Sequence, residues 1–133
     1  MTVFHTNDRQ RITAADLPDD CSVFSSGQFV IRADGTGRFD RHFHDFAEFW
    51  MVASGHGTVL VGDTEHPVGP GDIIYTAPGL AHDILDIAEE LRIFWLSCDL
   101  PPGSDGAHMH RTPGDADKHL VPVRPTYPAG QRG

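Results

Sequence analysis

The feature that most limits the fold is punctuation. From Cys21 to Leu100 the chain is a series of short apolar runs, closed by glycine, proline or aspartate roughly every eight to twelve residues. "VFSSGQFVIRADGTG" reads as a strand, a break, a second strand and a turn at Asp34-Gly35. "FDRHFHDFAEFWMVASGHG" is a long strand region ended by Gly55 and Gly57. "TVLVGDTEHPV" enters a hairpin at Gly62-Asp63, where both residues tolerate positive φ. "GPGDIIYTAPG" gives a turn, a strand and a turn at Pro78-Gly79. "AHDILDIAEELRIFWLSCDL" gives one strand, a short polar connection and a last apolar strand, Arg92 to Leu96. No window sustains a helical apolar period. The expected class is all-β, a sandwich or barrel.

The flanks are of another kind. Residues 1–20 form a polar N-terminal arm in which Thr13, with Asp16 three residues later, can cap a short helical turn. Residues 21–100 carry the barrel. Residues 101–133 are rich in Pro, Gly and Asp and read as an extended tail that wraps the domain or a neighbour, with mobile final residues. The 133 residues suit one core.

Composition removes several partners. The formal charge is −9 with histidine neutral, and the basic residues are scattered. Nucleic acids and anionic membrane surfaces reward clustered Lys and Arg, so neither is expected as a partner. No apolar run approaches the roughly 20 residues that span a bilayer. The N-terminus has no apolar core of a signal peptide, and Cys21 and Cys98 lack CxxC spacing. They read as free thiols of a cytoplasmic protein. Nine histidines, not in a tag, favour metal chemistry.

Strand side chains alternate, so His42, His44, Phe46, Glu48 and Trp50 share one face. The opposite face, apart from Asp45, is apolar and would pack on another sheet or subunit. Burying two imidazoles and a carboxylate without partners would cost on the order of several kcal/mol. A divalent cation would satisfy all three.

These residues resemble the first motif of the cupin superfamily, His-x-His, then Glu, then Gly. Here it is His42-Phe43-His44, Glu48 and Gly55, with the upstream Gly37 one position closer than usual. "GDIIYTAPGLAHDILD" resembles the second motif, with Gly71, Pro78-Gly79 and His82 in frame, Ala77 where proline is usual and Asp86 where asparagine is usual. The resemblance covers roughly residues 28–97. It implies a double-stranded β-helix, or jelly-roll, barrel and four metal ligands, His42, His44, Glu48 and His82. Three neutral imidazoles and a carboxylate suit one divalent Fe, Mn, Ni, Co or Zn. The same stretches also resemble the effector-binding arm of AraC-type regulators, where metal is often absent. No helix-turn-helix pattern accompanies them here.

Around the ligands, Phe46 and Trp50 could wall a substrate pocket or simply be core. Tyr75, on the strand before His82, is a candidate acid. Asp45, Asp83 and Asp86 flank ligands and could orient an imidazole. His56 is expected to face solvent. His108 and His110, in "GAHMHR", repeat the His-x-His spacing and could reach the site if the tail folds back. The expected function is a metal-dependent enzyme acting on a small oxygenated molecule (a sugar derivative, a keto or hydroxy acid, or a polyphenolic intermediate). The chemistry would be that of an isomerase, lyase or cyclase, or of a dioxygenase. The alternative is a non-catalytic small-molecule binding or sensing module. The apolar second face, with Phe43, Phe49 and Met51, and the strand Ile93-Phe94-Trp95-Leu96 predict a homodimer.

Overall fold

The computed structural model describes residues 2–124; the expected mobility of the last residues lies outside this range. Ten strands follow in order: β1 (Arg11–Thr13), β2 (Val23–Ile31), β3 (Arg38–Phe39), β4 (Ala47–Ser54), β5 (Gly57–Val61), β6 (Thr64–Val68), β7 (Ile73–Thr76), β8 (His82–Ile87), β9 (Leu91–Cys98) and β10 (His119–Leu120). Five make one sheet in the order β1-β2-β9-β4-β7, three make a second, β6-β5-β8, and β10 pairs with β3. All these pairings are antiparallel. The result is the expected jelly-roll. No helix among the described residues is long and apolar enough to cross a membrane.

The core lies between the two larger sheets. Trp50 and Val52 from β4, Ile93 from β9 and Ile74 from β7 meet Val59 from β5 and Ile84 and Ile87 from β8. Alternation explains most of this set. Ile87 joins Ile84 on the inner side because β8 bulges: Thr58 pairs with Asp86 but Val59 with Ile84, leaving Leu85 extra.

The hairpin at Gly62-Asp63 forms with two turn residues. Only Gly62 has positive φ (60°), the pattern of a type II′ turn. Three expectations are corrected. β2 is continuous through the predicted break. Gly27 is there because a Cβ would meet the Gln10 carbonyl at 2.3 Å and the Trp95 ring at 2.8 Å, so it marks a close approach and not a turn. The long strand over the first histidines is divided, since β4 begins only at Ala47 and His42 and Phe43 sit in isolated bridges. The polar arm holds a strand where only a helical turn was expected, β1, which pairs with β2 as an edge strand. The capped turn over Ala14–Asp16 does form, with the Thr13 N–H donating to the Asp16 carboxylate at 2.8 Å.

The tail wraps its own domain. Met109 bridges Phe43, β10 pairs with β3, and Val123 bridges Ile87. Arg111 lies over the Phe43 ring, 4.3 Å from its centroid.

Candidate metal centre

Two backbone devices bring distant segments to one point. His42 and His82 form an antiparallel bridge, with each N–H donating to the other's carbonyl, at 3.2 and 2.8 Å. Two residues on, the Gly79 N–H donates to the His44 carbonyl at 2.8 Å. That glycine belongs to a type II turn, with Pro78 in its first central position, Gly79 (φ 85°) in its second, and the Leu80 N–H on the Ala77 carbonyl at 3.2 Å. Ala77 precedes the two central positions, so the turn forms without the usual proline there.

Backbone carbonyls orient all three imidazoles. His42 Nδ1 lies 2.7 Å from the Asp40 carbonyl, His44 Nδ1 3.0 Å from that of Phe46, and His82 Nδ1 3.3 Å from that of Leu80. A carbonyl can only accept, so each Nδ1 carries the proton and each neutral ring leaves Nε2 bare. His44 and His82 are each 1% exposed, and among the described residues their buried Nε2 atoms have no hydrogen-bond partner. One ring nitrogen from each of His42, His44 and His82 lies within 4.8 Å of the others. Glu48 Oε1 is 3.5 Å from His44 Nε2 and 3.8 Å from His82 Nε2. Donors bound at about 2.1 Å to a common ion sit roughly 3–4 Å apart. Converging bare lone pairs in a buried site are costly unless a proton or cation lies between them. The donor set therefore fits a divalent transition metal.

Electrostatics keep the donors in ligand form. Burial, and next the neighbouring His108, push His42 down to about 4. Burial and next His42 push His82 down to about 3. Both rings are neutral near pH 7. Burial by itself would raise Glu48, but the donors around the carboxylate, the Ser97 hydroxyl among them, outweigh it and hold the carboxyl below its ordinary value. The Trp50 indole N–H donates to Glu48 Oε1 and the Ser97 hydroxyl to Oε2, both at 2.8 Å.

The family model of the AraC-like ligand binding domain matches residues 25–102. The chain belongs to this family. Solved cupin structures share its fold. Rru_A2000 from Rhodospirillum rubrum, a cupin-2 domain, superposes with a TM-score of 0.55 at 16% identity, covering 74% of this chain and 63% of that one. Oxalate decarboxylase from Bacillus subtilis superposes with a TM-score of 0.59 at 23% identity, covering 71% of this chain and 26% of that one. At such identities the likeness is one of fold. An uncharacterized protein of Sinorhizobium fredii, y4oW, is 29% identical over 106 residues, which is 73% of this chain and 49% of the relative. The chain thus spans about half the length of the curated relative it matches.

In this AraC-like domain the remaining sequence candidates separate clearly. The Phe46 ring stacks on His44 with centroids 3.8 Å apart, and Trp50 is both core and cavity wall. Tyr75 is not at the site. It pairs with Phe49 on the outer side of the sheet, half exposed, because its neighbours Ile74 and Thr76 take the inward positions. The flanking aspartates Asp45, Asp83 and Asp86 have partners other than the three clustered imidazoles. Asp45 accepts from Ser104, Asp83 pairs with Arg41 and His119, and Asp86 meets Thr58 and Arg124. The carbonyls already fill the ring-orienting role. His56 is half-buried and paired with Glu89 at 2.7 Å. His108 stacks on His42 with centroids 3.9 Å apart, and His110 Nε2 meets Asp40 Oδ2 at 2.7 Å. Sequence reading missed Ser97, Asp40 and Phe39, which stacks on His42. Ser97 had a signal, since it is the polar member of an inward series Leu91, Ile93, Trp95, Ser97.

Proposed function

We propose that this domain binds one divalent transition metal through His42, His44, Glu48 and His82, and receives a small oxygenated molecule there. The observation that supports this most is the set of three imidazoles, each with Nδ1 against a backbone carbonyl and each with a ring nitrogen within 4.8 Å of the others. Such an ion, when bound, supplies Lewis acidity toward an oxygen of the bound molecule. The protein's own part is orientation and exclusion of water. Trp50 and Ser97 fix the Glu48 carboxylate, and Phe46 shields His44. His110 is committed to Asp40, whereas His108 lies over the mouth against His42 and is placed to exchange a proton with a bound molecule. In this reading the domain is an enzyme of isomerase, lyase, cyclase or dioxygenase type.

Metal analysis of protein purified without chelator tests it. About one equivalent is expected; less than about 0.1 equivalent, not restored by adding Mn, Fe, Ni or Zn, overturns the metal site. The family match favours a second reading, a non-catalytic ligand-binding module. A ligand recovered unchanged after prolonged incubation with metal-loaded protein selects that reading.

The domain is further proposed to be a homodimer. Its support is the outer side of the large sheet, where Ile73 is 67% and Tyr75 50% exposed beside half-buried Phe49, Met51, Phe94 and Leu96. Phe43 and Ile93 do not contribute, since the tail covers one and the core holds the other. A monomeric mass by light scattering would refute it.

A further inference from the structure

We infer that the cavity beside the histidines takes a planar aromatic acid, its ring held among aromatic walls and its carboxylate met by Arg11 at the rim. The inference deepens the proposed reading and rests on it only for the inner end of the ligand. The cavity, about 730 Å³, runs from His42 and Glu48 out to β1. Its walls include Phe24, Phe29, Phe39, Phe46, Trp50 and Trp95. Phe29 sits edge-on to Trp50 at 5.3 Å between centroids, and tilted to Phe39 and Trp95 at 6.2 Å each. The two indole N–H groups are engaged, Trp50 with Glu48 and Trp95 with Ser25. These walls therefore offer π surface and few free hydrogen-bonding groups. A flat ring gains offset and edge contacts there. A sugar hydroxyl laid against these rings would find no partner on them.

The rim points to the charge. Arg11, Arg38 and Lys118 line it, three of the ten basic residues in a chain of net charge −9. Arg11 pairs opposite Gly27, which pairs with Trp95, which pairs with Trp50. Directly opposed residues share a side, so Arg11 stands on the cavity side of the sheet. A Cβ at Gly27 would meet the Arg11 Cα at 2.8 Å, so the glycine is what lets this strand close over the cavity. Among the described residues Arg11 has no ion-pair partner. Among the described residues the Arg38 side chain donates to the Lys118 carbonyl, at 3.1 Å, and pairs with no acid. The lining acids are otherwise engaged: Glu48 by Trp50 and Ser97, Asp40 by His110, and Asp105 by the Ala107 N–H. A guanidinium fork matches a carboxylate.

The test uses the full chain, metal-loaded and chelator-treated, with benzoate, salicylate and trans-cinnamate set against their amides, and against glucose and arabinose. Binding is read by calorimetry and by fluorescence of Trp50 and Trp95. At least one acid should bind about tenfold tighter than its amide in both preparations. Arg11→Gln should erase that preference while leaving amide affinity unchanged, and Arg11→Lys should keep most of it. Equal binding of acid and amide, no acid binding at millimolar concentration, tighter binding of a sugar, or a preference that survives Arg11→Gln would each overturn the inference. A protein that takes up no metal but keeps the Arg11-dependent preference would sink the metal reading alone.

Discussion

His-x-His occurs twice in this chain, at His42 and His44 and again at His108 and His110, and the fold lays one against the other. The Phe43–Met109 bridge, with N–H to carbonyl distances of 2.9 and 2.8 Å, aligns the two segments antiparallel. All four rings therefore gather on one side of it. Their fixing differs. The first pair is buried and each Nδ1 is held by a main-chain carbonyl. The second pair is on the tail, one ring stacked on His42 and the other held by the Asp40 side chain. Identical spacing thus yields a rigid donor set in one place and a covering pair in the other. What separates them is the backbone around the ring.

The largest expected effect tests this separation directly. His44→Ala should retain less than about a tenth of the wild-type metal, whereas His108→Ala should stay within about threefold. Equal loss in both, by elemental analysis, would make the tail a ligand segment and erase the distinction. The next effect is on pH. In the unfolded chain His42 and His82 bind protons near their ordinary value, but in the folded domain only at about 4 and about 3. Between these limits the unfolded state binds more protons, so stability falls as pH falls. Chelated protein should lose on the order of 1–2 kcal/mol per imidazole between pH 7 and 5 in urea melts. A flat profile would mean that these rings are not held neutral.

Ser97→Ala comes third. It leaves one buried Glu48 oxygen without its donor and should cost about 1–3 kcal/mol, read as a lower Tm. Asp40→Ala should act mainly on the tail, through the 2.7 Å contact with His110, and more weakly on His42, whose Nδ1 lies 3.6 Å from the same carboxylate. Faster hydrogen exchange at Met109 and Phe43, with about 1 kcal/mol or less of global cost, is expected. Loss of metal in that variant would tie the two segments more closely than their fixing implies. Tyr75→Phe should change neither metal content nor ligand affinity, since the hydroxyl lies on the far side of the sheet.

Much of the barrel was legible because strands announce themselves by alternation and turns by glycine. The hairpin at Gly62-Asp63 and the turn at Pro78-Gly79 formed where those residues stand. Gly27 misled, because a glycine that admits a close neighbour looks the same in sequence as one that ends a strand. Tyr75 misled because closeness in sequence to His82 says nothing of side: Ile74 and Thr76 face inward, so Tyr75 between them faces out. Arg11 was illegible, since β1 is three residues long and carries no periodic signal.

By itself, then, the sequence determined what alternation and turn chemistry control: an all-β class, two motifs in frame, and which residue types could bind a cation. Only the tertiary structure decided which donors converge, because that depends on the bridge joining His42 to His82 across 40 residues of chain. It also decided what surrounds them. The tail histidines over the mouth and Arg11 at the rim are long-range neighbours, and no local pattern encodes contacts between segments brought together only by folding.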